Sequence, residues 1–256
     1  MNSLELFKTQ KFYQIDISIL KDLGYDVLLS NRIFDSLLFW KYDILFSYFY
    51  RYSFFAALLA KCFGKKTYFT GGIDSLDSDY ASAFNYKIQA LFFKLCYWVA
   101  DSCIIVSQSD LKNIFKVSSL KKKLSYSEHV INTKLFIADV PKEKIFTSIV
   151  WMGDEGNVVR KGVDKALQIF AELKKIPEFV DYRFVIIGRK GEGEVLVRSI
   201  IDKYNLKGSV ELKGEVSEED KINLLKQSKY YFQLSLYEGF GLAALEALCA
   251  NNIIIH

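Results

Sequence analysis

Histidine, proline and cysteine are scarce in this chain of 256 residues, which has two, two and four of them. The four cysteines, Cys62, Cys96, Cys103 and Cys249, form no C-x-x-C pair and have no histidine close by in sequence. That spacing supports neither a zinc site nor a disulfide framework, and a reducing cytoplasm is the default compartment. The two histidines, His129 and His256, read as structural and terminal rather than as a catalytic pair. No stretch reaches the roughly 18 uncharged apolar residues of a membrane span; Lys41, Asp43, Arg51 and Lys61 interrupt the most apolar region. A basic start followed by an apolar core and a small-residue cleavage site is also missing, so no secretory leader is expected. A net charge of +4 is too small an excess for a nucleic-acid binder, and Lys121-Lys122-Lys123 reads as a solvated patch.

What is present is an ordinary globular composition, 51% hydrophobic and 25% charged, long enough for two domains. The charge is unevenly placed: residues 1–140 hold 17 Lys/Arg against 13 Asp/Glu, and residues 141–256 hold 17 of each. The first part also holds 28 of the 40 aromatic residues, with Phe39-Trp40, Tyr48-Phe49-Tyr50, Phe54-Phe55 and Phe92-Phe93 interleaved with Lys41, Arg51, Lys61 and Lys94. Two readings stand side by side: a basic, aromatic surface suited to peripheral contact with an anionic membrane, or core helix faces with solvated lysine rims.

Apolar β-rich runs alternate with helix-period segments throughout, the rhythm of a parallel α/β fold. In the first part a helical stripe through Phe12, Ile15, Ile19, Leu20 and Leu23 stops at Gly24, and strands are expected at Tyr25–Ser30, Tyr42–Ser47, Lys66–Gly71, Cys103–Ser107 and within 123–132. Helical runs lie around 52–63 and 84–100. The polar segment around Pro141 places a domain boundary after residue 140, giving domains 1–140 and 141–256. A second series follows: strands at Ile145–Met152, Tyr182–Gly188, Val210–Glu215, Tyr230–Ser235 and Ile253–Ile255. The helices of that series are Val163–Leu173, Gly193–Tyr204, Ser217–Gln227, opened by Ser217 as a cap, and a last one carrying Glu246.

Glu238 and Glu246 bracket Gly239-Phe240-Gly241-Leu242-Ala243-Ala244-Leu245. An ionised acid inside so apolar a helix is costly without a strong partner. The glycines let backbone amides approach a ligand, and the helix that follows aims its free N–H groups into the turn, an arrangement that binds phosphate at the carboxyl end of a parallel strand. Glu246 would then accept from vicinal hydroxyls. On spacing alone the alternative stands equally: Glu238 complements a helix N-terminus and Glu246 pairs with a basic neighbour.

The run Ser235-Leu236-Tyr237-Glu238-Gly239-Phe240-Gly241-Leu242 through Glu246-Ala247-Leu248 resembles the E-x7-E signature of the GT4 family, the group 1 retaining glycosyltransferases. Arg160-Lys161-Gly162-Val163-Asp164 and Phe184-Val185-Ile186-Ile187-Gly188 resemble further landmarks of its donor domain. Ala100-Asp101, Ile104–Ser107 and Val130–Phe136 resemble weaker ones before it. The resemblance implies the GT-B fold: α/β, two facing Rossmann-like domains with parallel sheets. It implies that Lys161 contacts a donor diphosphate and that Gly239, Phe240, Gly241 and Leu242 offer backbone donors; Arg160 is the candidate to replace the family's second cation. Glu238 would touch the transferred sugar as the catalytic residue, and Glu246 would hold the nucleotide ribose. Neither a metal nor another cofactor is implied, because cations stabilise the leaving nucleotide diphosphate.

The implied activity is transfer of a hexose, with retention, from a nucleotide-diphosphate sugar to a cell-surface glycan or lipid-linked acceptor. Polysaccharide or lipopolysaccharide assembly at the cytoplasmic face of the membrane is the implied setting. The chain departs from the pattern in Gly153-Asp154, where the family often has Gly-Arg, and in Thr70-Gly71-Gly72, where many members place a histidine. The first domain is expected to lack its first strand, and the second its last βα units. These departures keep a non-catalytic binding or partner protein on the same fold as an alternative, with a sugar-nucleotide epimerase behind it. Asp77-Ser78-Asp79 matches the D-x-D motif of the other glycosyltransferase fold, but reads as a turn.

Overall fold

A computed structural model describes residues 4, 5, 7, 11–71, 73–76, 82–117, 122–137 and 139–256. The chain divides into two compact units, Met1–Val130 and Ile131–His256. The division lies upstream of the break expected after residue 140, because Ile131 and Phe136 pack into a cluster with Tyr231, Ala247 and Ala250 of the second unit.

In the first unit the helix α1 spans Lys11–Asp22. It ends as its sequence demands: Gly24 adopts φ +87°, and the amides of Gly24 and Tyr25 donate back to Lys21 O and Leu20 O, closing the last turn with a left-handed glycine. Four strands follow: β1 (Ile44–Tyr48), β2 (Lys66–Thr70), β3 (Ser102–Ile105) and β4 (Leu124–Tyr126). They form a parallel sheet in that order. Between them run α2 (Tyr50–Cys62), α3 (Ala83–Val99) and α4 (Gln108–Val117). Tyr50, Phe69, Phe93, Cys96, Cys103 and Ile114 fill the core beneath them. Two charged residues hold the joints. Asp101 accepts from Lys61 Nζ (2.5 Å) and from the amide of Thr67 (2.8 Å), and Lys123 Nζ donates to the carbonyls of Trp98 (2.8 Å) and Ala100 (2.7 Å) at the end of α3, where helix carbonyls lack partners.

The strand expected at Tyr25–Ser30 is not formed; the segment has no regular secondary structure and only Val27 is partly buried. β-Propensity reflects fit to a neighbouring strand, and among the described residues β1 pairs only with β2. The helix α4 escaped the sequence reading. Residues 77–79, with the D-x-D motif, and Gly72 and Lys121 lie outside the described residues.

The second unit is built on β5 (Glu143–Ile149), β6 (Arg183–Ile187), β7 (Val210–Gly214), β8 (Ser228–Phe232) and β9 (Ile253–Ile255), all parallel in the order β7-β6-β5-β8-β9. Its helices are α5 (Glu155–Arg160), α6 (Val163–Leu173), α7 (Glu194–Lys203), α8 (Glu218–Gln227) and α9 (Leu242–Cys249). The chain winds outward from β5 through β6 to β7, then returns to the other side of β5 for β8 and β9. The crevice between β5 and β8 is therefore the topological switch point, where open α/β sheets bind ligands at the carboxyl ends of their strands.

Buried on both faces, β5 is almost continuously apolar or internally satisfied. Phe146 stacks on Phe232 (5.0 Å) and Tyr230 (4.7 Å) and meets Phe170 edge-on (5.5 Å). The polar Thr147 and Ser148 bond Ser228 Oγ (2.5 Å) and Phe232 O (2.9 Å), which fastens β5 to both ends of β8. The cap expected at Ser217 is formed: its Oγ accepts from the amide of Asp220 (3.0 Å).

Candidate functional site

Two loops meet at the carboxyl ends of β5 and β8. The first runs from Val150 through the short helix α5 to Gly162. Its helix starts on Asp154, whose Oδ1 accepts from the amide of Asn157 (2.7 Å). The aspartate that departs from the Gly-Arg pattern thus serves here as an N-cap. The second loop is 233–241, ending on Gly241 in the left-handed region (φ +81°) at the start of α9.

Four contacts join these loops. Leu236 N donates to Arg160 O (2.8 Å). Arg160 reaches Tyr237 O (3.5 Å) with one guanidinium nitrogen and Asn157 Oδ1 (3.1 Å) with another. Lys161 Nζ donates to Glu238 Oε1. Gly162, at φ +66°, lies so close to Leu234 that a Cβ there would stand 2.1 Å from the Leu234 carbonyl oxygen. Only glycine allows this approach together with that φ.

The structure therefore brings Arg160, Lys161, Glu238 and the Gly239–Leu242 turn together at the switch point, with Lys161 and Glu238 half-buried. Glu238 accepts at one oxygen, Oε1, from Lys161 Nζ, Ser235 Oγ (2.8 Å) and Gln233 Nε2 (2.9 Å). Burial pushes its carboxyl upward, but the Lys161 charge and these hydrogen bonds outweigh burial and hold it below the usual carboxylate value. Glu238 is thus an ionised acceptor beside a cation, and α9 begins a few residues further on, its first amides carrying the positive end of the helix dipole. Such a cluster can bind the phosphates of a ligand and accept from its hydroxyls.

Glu246, expected to accept from vicinal hydroxyls, has a cationic partner within the fold. It is buried, and its Oε2 accepts from Lys221 Nζ (2.7 Å), a lysine 25 residues earlier on α8. Lys221 also meets Glu218 (3.0 Å) and lies over the ring of Phe136. The basic-neighbour alternative therefore describes its contact, for the reason the sequence already gave: an acid in this apolar setting needs a cation or a strong donor.

Sequence reasoning gave no role to Gln233 or Lys221. Gln233 is a polar residue at the end of an apolar strand, which was a signal of sorts; Lys221 sits in an unremarkable charged helix, and its pairing comes only from the packing of α8 on α9. His129 is half-buried, and burial pulls its imidazole below the usual value while Asp16 opposes this. Among the described residues no group of three or more His, Cys, Asp or Glu side chains is placed to hold a metal ion. A concavity lined by Arg183, Val185, Glu211, Asn223 and Gln227 lies between β6, β7 and α8. It contains none of the residues at the switch point, and its pair of Arg183 with Glu211 (4.0 Å) is solvent-exposed, so the chemistry argues for the loop junction instead.

The chain is similar to known glycosyltransferases. Residues 156–256 match the family model described as Glycosyl transferases group 1. The chain is 35% identical over 99 residues to GDP-mannose:cellobiosyl-diphosphopolyprenol alpha-mannosyltransferase of Xanthomonas oryzae pv. oryzae, a stretch covering 38% of this chain and 25% of that protein. It is 32% identical over 98 residues to a human protein of the phosphatidylinositol N-acetylglucosaminyltransferase, covering 38% and 20%. Among solved structures, Anabaena HepE in complex with UDP and glucose is similar with a TM-score of 0.70 at 12% identity, over 86% of this chain and 60% of that one. TarM is similar with a TM-score of 0.66 at 18% identity, over 82% and 40%. The matched stretch spans a quarter or less of these curated relatives, and the fold is that of the GT-B glycosyltransferases.

Proposed function

We propose that this chain, whose residues 156–256 match the glycosyl transferases group 1 model, takes part in moving a hexose, with retention, from a nucleotide-diphosphate sugar to a glycan or lipid-linked acceptor. The observation that carries this reading is the junction of the two loops at the β5/β8 switch point, with Lys161, Glu238 and the start of α9 in one place. The diphosphate would lie between Lys161, Arg160 and the amides of Gly239–Leu242, whose donors and charges would offset its charge without a metal. Glu238 would accept from the sugar and Glu246 from the ribose, sharing its carboxylate with Lys221. The names of relatives support the substrate classes: one uses GDP-mannose and a diphosphopolyprenol-linked acceptor, and HepE holds UDP and glucose.

We place the work at the cytoplasmic face of a membrane, in cell-surface polysaccharide or lipopolysaccharide assembly. Supporting this, α3 exposes Phe84, Leu91 and Trp98 at helical spacing with Lys87 and Lys94 between them, a stripe suited to anionic headgroups. Among the described residues no helix is long and apolar enough to cross a membrane.

Titration calorimetry with UDP-, GDP- and ADP-sugars tests the reading, on the natural sequence and on Glu246→Gln. At least one donor is expected to bind in the micromolar range or tighter, about −8 kcal/mol, and Glu246→Gln is expected to weaken it about tenfold. Absence of binding to every donor and to the free nucleotides would overturn the proposal. A second reading, a binding protein without transfer, is favoured by one observation: Lys161 and Glu238 already neutralise each other. Turnover of the bound donor by the purified chain excludes it.

A further inference from the structure

The three donors on Glu238 are chemically unlike. Lys161 is a cation and is the group a diphosphate would draw away; Gln233 and Ser235 are neutral and have no such competitor. Both are fixed from behind. The amide of Gln233 donates to Ile255 O (2.8 Å), extending the β8–β9 pairing by one residue, and its Nε2 reaches Ser235 Oγ (3.1 Å) as well as Glu238 Oε1 (2.9 Å). Ser235 closes the short loop onto Glu238 three residues on (2.8 Å). All three bonds fall on Oε1, and among the described residues no donor reaches Oε2. An ionised carboxylate has about four acceptor sites, so this arrangement fills one oxygen and leaves the other with its capacity unspent.

We infer that Gln233 and Ser235 are positioning residues for Glu238: they hold Oε1 after Lys161 has turned to the phosphates, and so present Oε2 to a hydroxyl of the transferred sugar. This deepens the function proposed above and rests on it. The loop alone would not fix the carboxylate once Lys161 has turned away, because a half-buried glutamate side chain still has several rotatable bonds to order. A charge-assisted bond from each neutral donor supplies the direction without adding charge that a diphosphate would compete for.

The test uses Gln233→Ala, Ser235→Ala and the conservative Ser235→Thr, each first shown to melt cooperatively near the natural protein's Tm. Two readouts follow. Carboxyl-carbon NMR, which needs no ligand, is expected to show Glu238 titrating at higher pH in both alanine variants and near its original value in Ser235→Thr. Affinities for two probe pairs, UDP with UDP-glucose and GDP with GDP-mannose, are expected to split: the sugar nucleotide weakens about tenfold and its free nucleotide stays unchanged. An unmoved titration, or equal loss for nucleotide and sugar nucleotide, would overturn the inference while leaving the proposed function standing. Failure of the natural protein to bind these four probes and ADP-glucose and ADP as well would instead overturn the proposed function, and the role of Oε2 with it.

Discussion

One oxygen of Glu238 carries three donors, and this sets how the junction responds to acid. Its folded-state carboxyl sits below the ordinary value, so the stability it contributes is complete above the unfolded carboxylate pKa. That contribution is lost as pH falls through the depressed folded value. Lys161→Ala removes the main counter-charge and raises the folded value toward the unfolded one, so the stability lost as pH falls below the unfolded carboxylate pKa is expected to be smaller than in the natural protein, as read by denaturant melts across that range. Lys221 makes a sharper prediction. Removing it as Lys221→Ala leaves Glu246 buried without its cation, at a cost of about 3 kcal/mol, whereas Lys221→Met with Glu246→Leu is expected to lose much less; urea denaturation distinguishes the two. The thiols differ in the same way. Burial pushes Cys96 up to about 12, so it should resist alkylation in the native protein while exposed Cys62 reacts, a difference that mass spectrometry resolves.

Elements whose pattern is carried by their own residues were legible in the sequence. The helix Val163–Leu173 and the strand Ile253–Ile255 have the expected bounds, because an apolar stripe and a run of isoleucines each specify one period. What depended on a distant neighbour was not legible. Tyr25–Ser30 has strand-like residues and no partner strand among the described residues, α5 is a short turn started by the Asp154 cap, and the Lys221 contact of Glu246 exists only once α8 lies on α9. The junction itself stands between these cases: the glutamates and glycines announced a ligand turn, but the bonds from Gln233 and Ser235 needed the geometry. Two substitutions test the elements. Gly162→Ala places a methyl against the Leu234 carbonyl at a positive φ, and is expected to cost at least about 2 kcal/mol and to loosen the junction. Phe146→Ala empties the centre of the β5 core and should cost about 3–5 kcal/mol; thermal melts read both.

Across the whole molecule, each unit has its own parallel sheet and its own core, and the residues argued to bind the donor all belong to the second. The first unit contributes the exposed aromatic and basic stripe of α3 instead. That division was partly visible beforehand, since the aromatic and basic excess falls in the first part and the two-glutamate signature in the second. A bound donor is expected to leave a correspondingly local footprint. Hydrogen exchange measured with and without the sugar nucleotide that binds most tightly in calorimetry tests this most directly: slowed exchange is predicted in 154–163 and 234–247, with the β6, β7 and α8 concavity unchanged. Protection confined to that concavity or to the first unit, with the two loops exchanging as before, would contradict it.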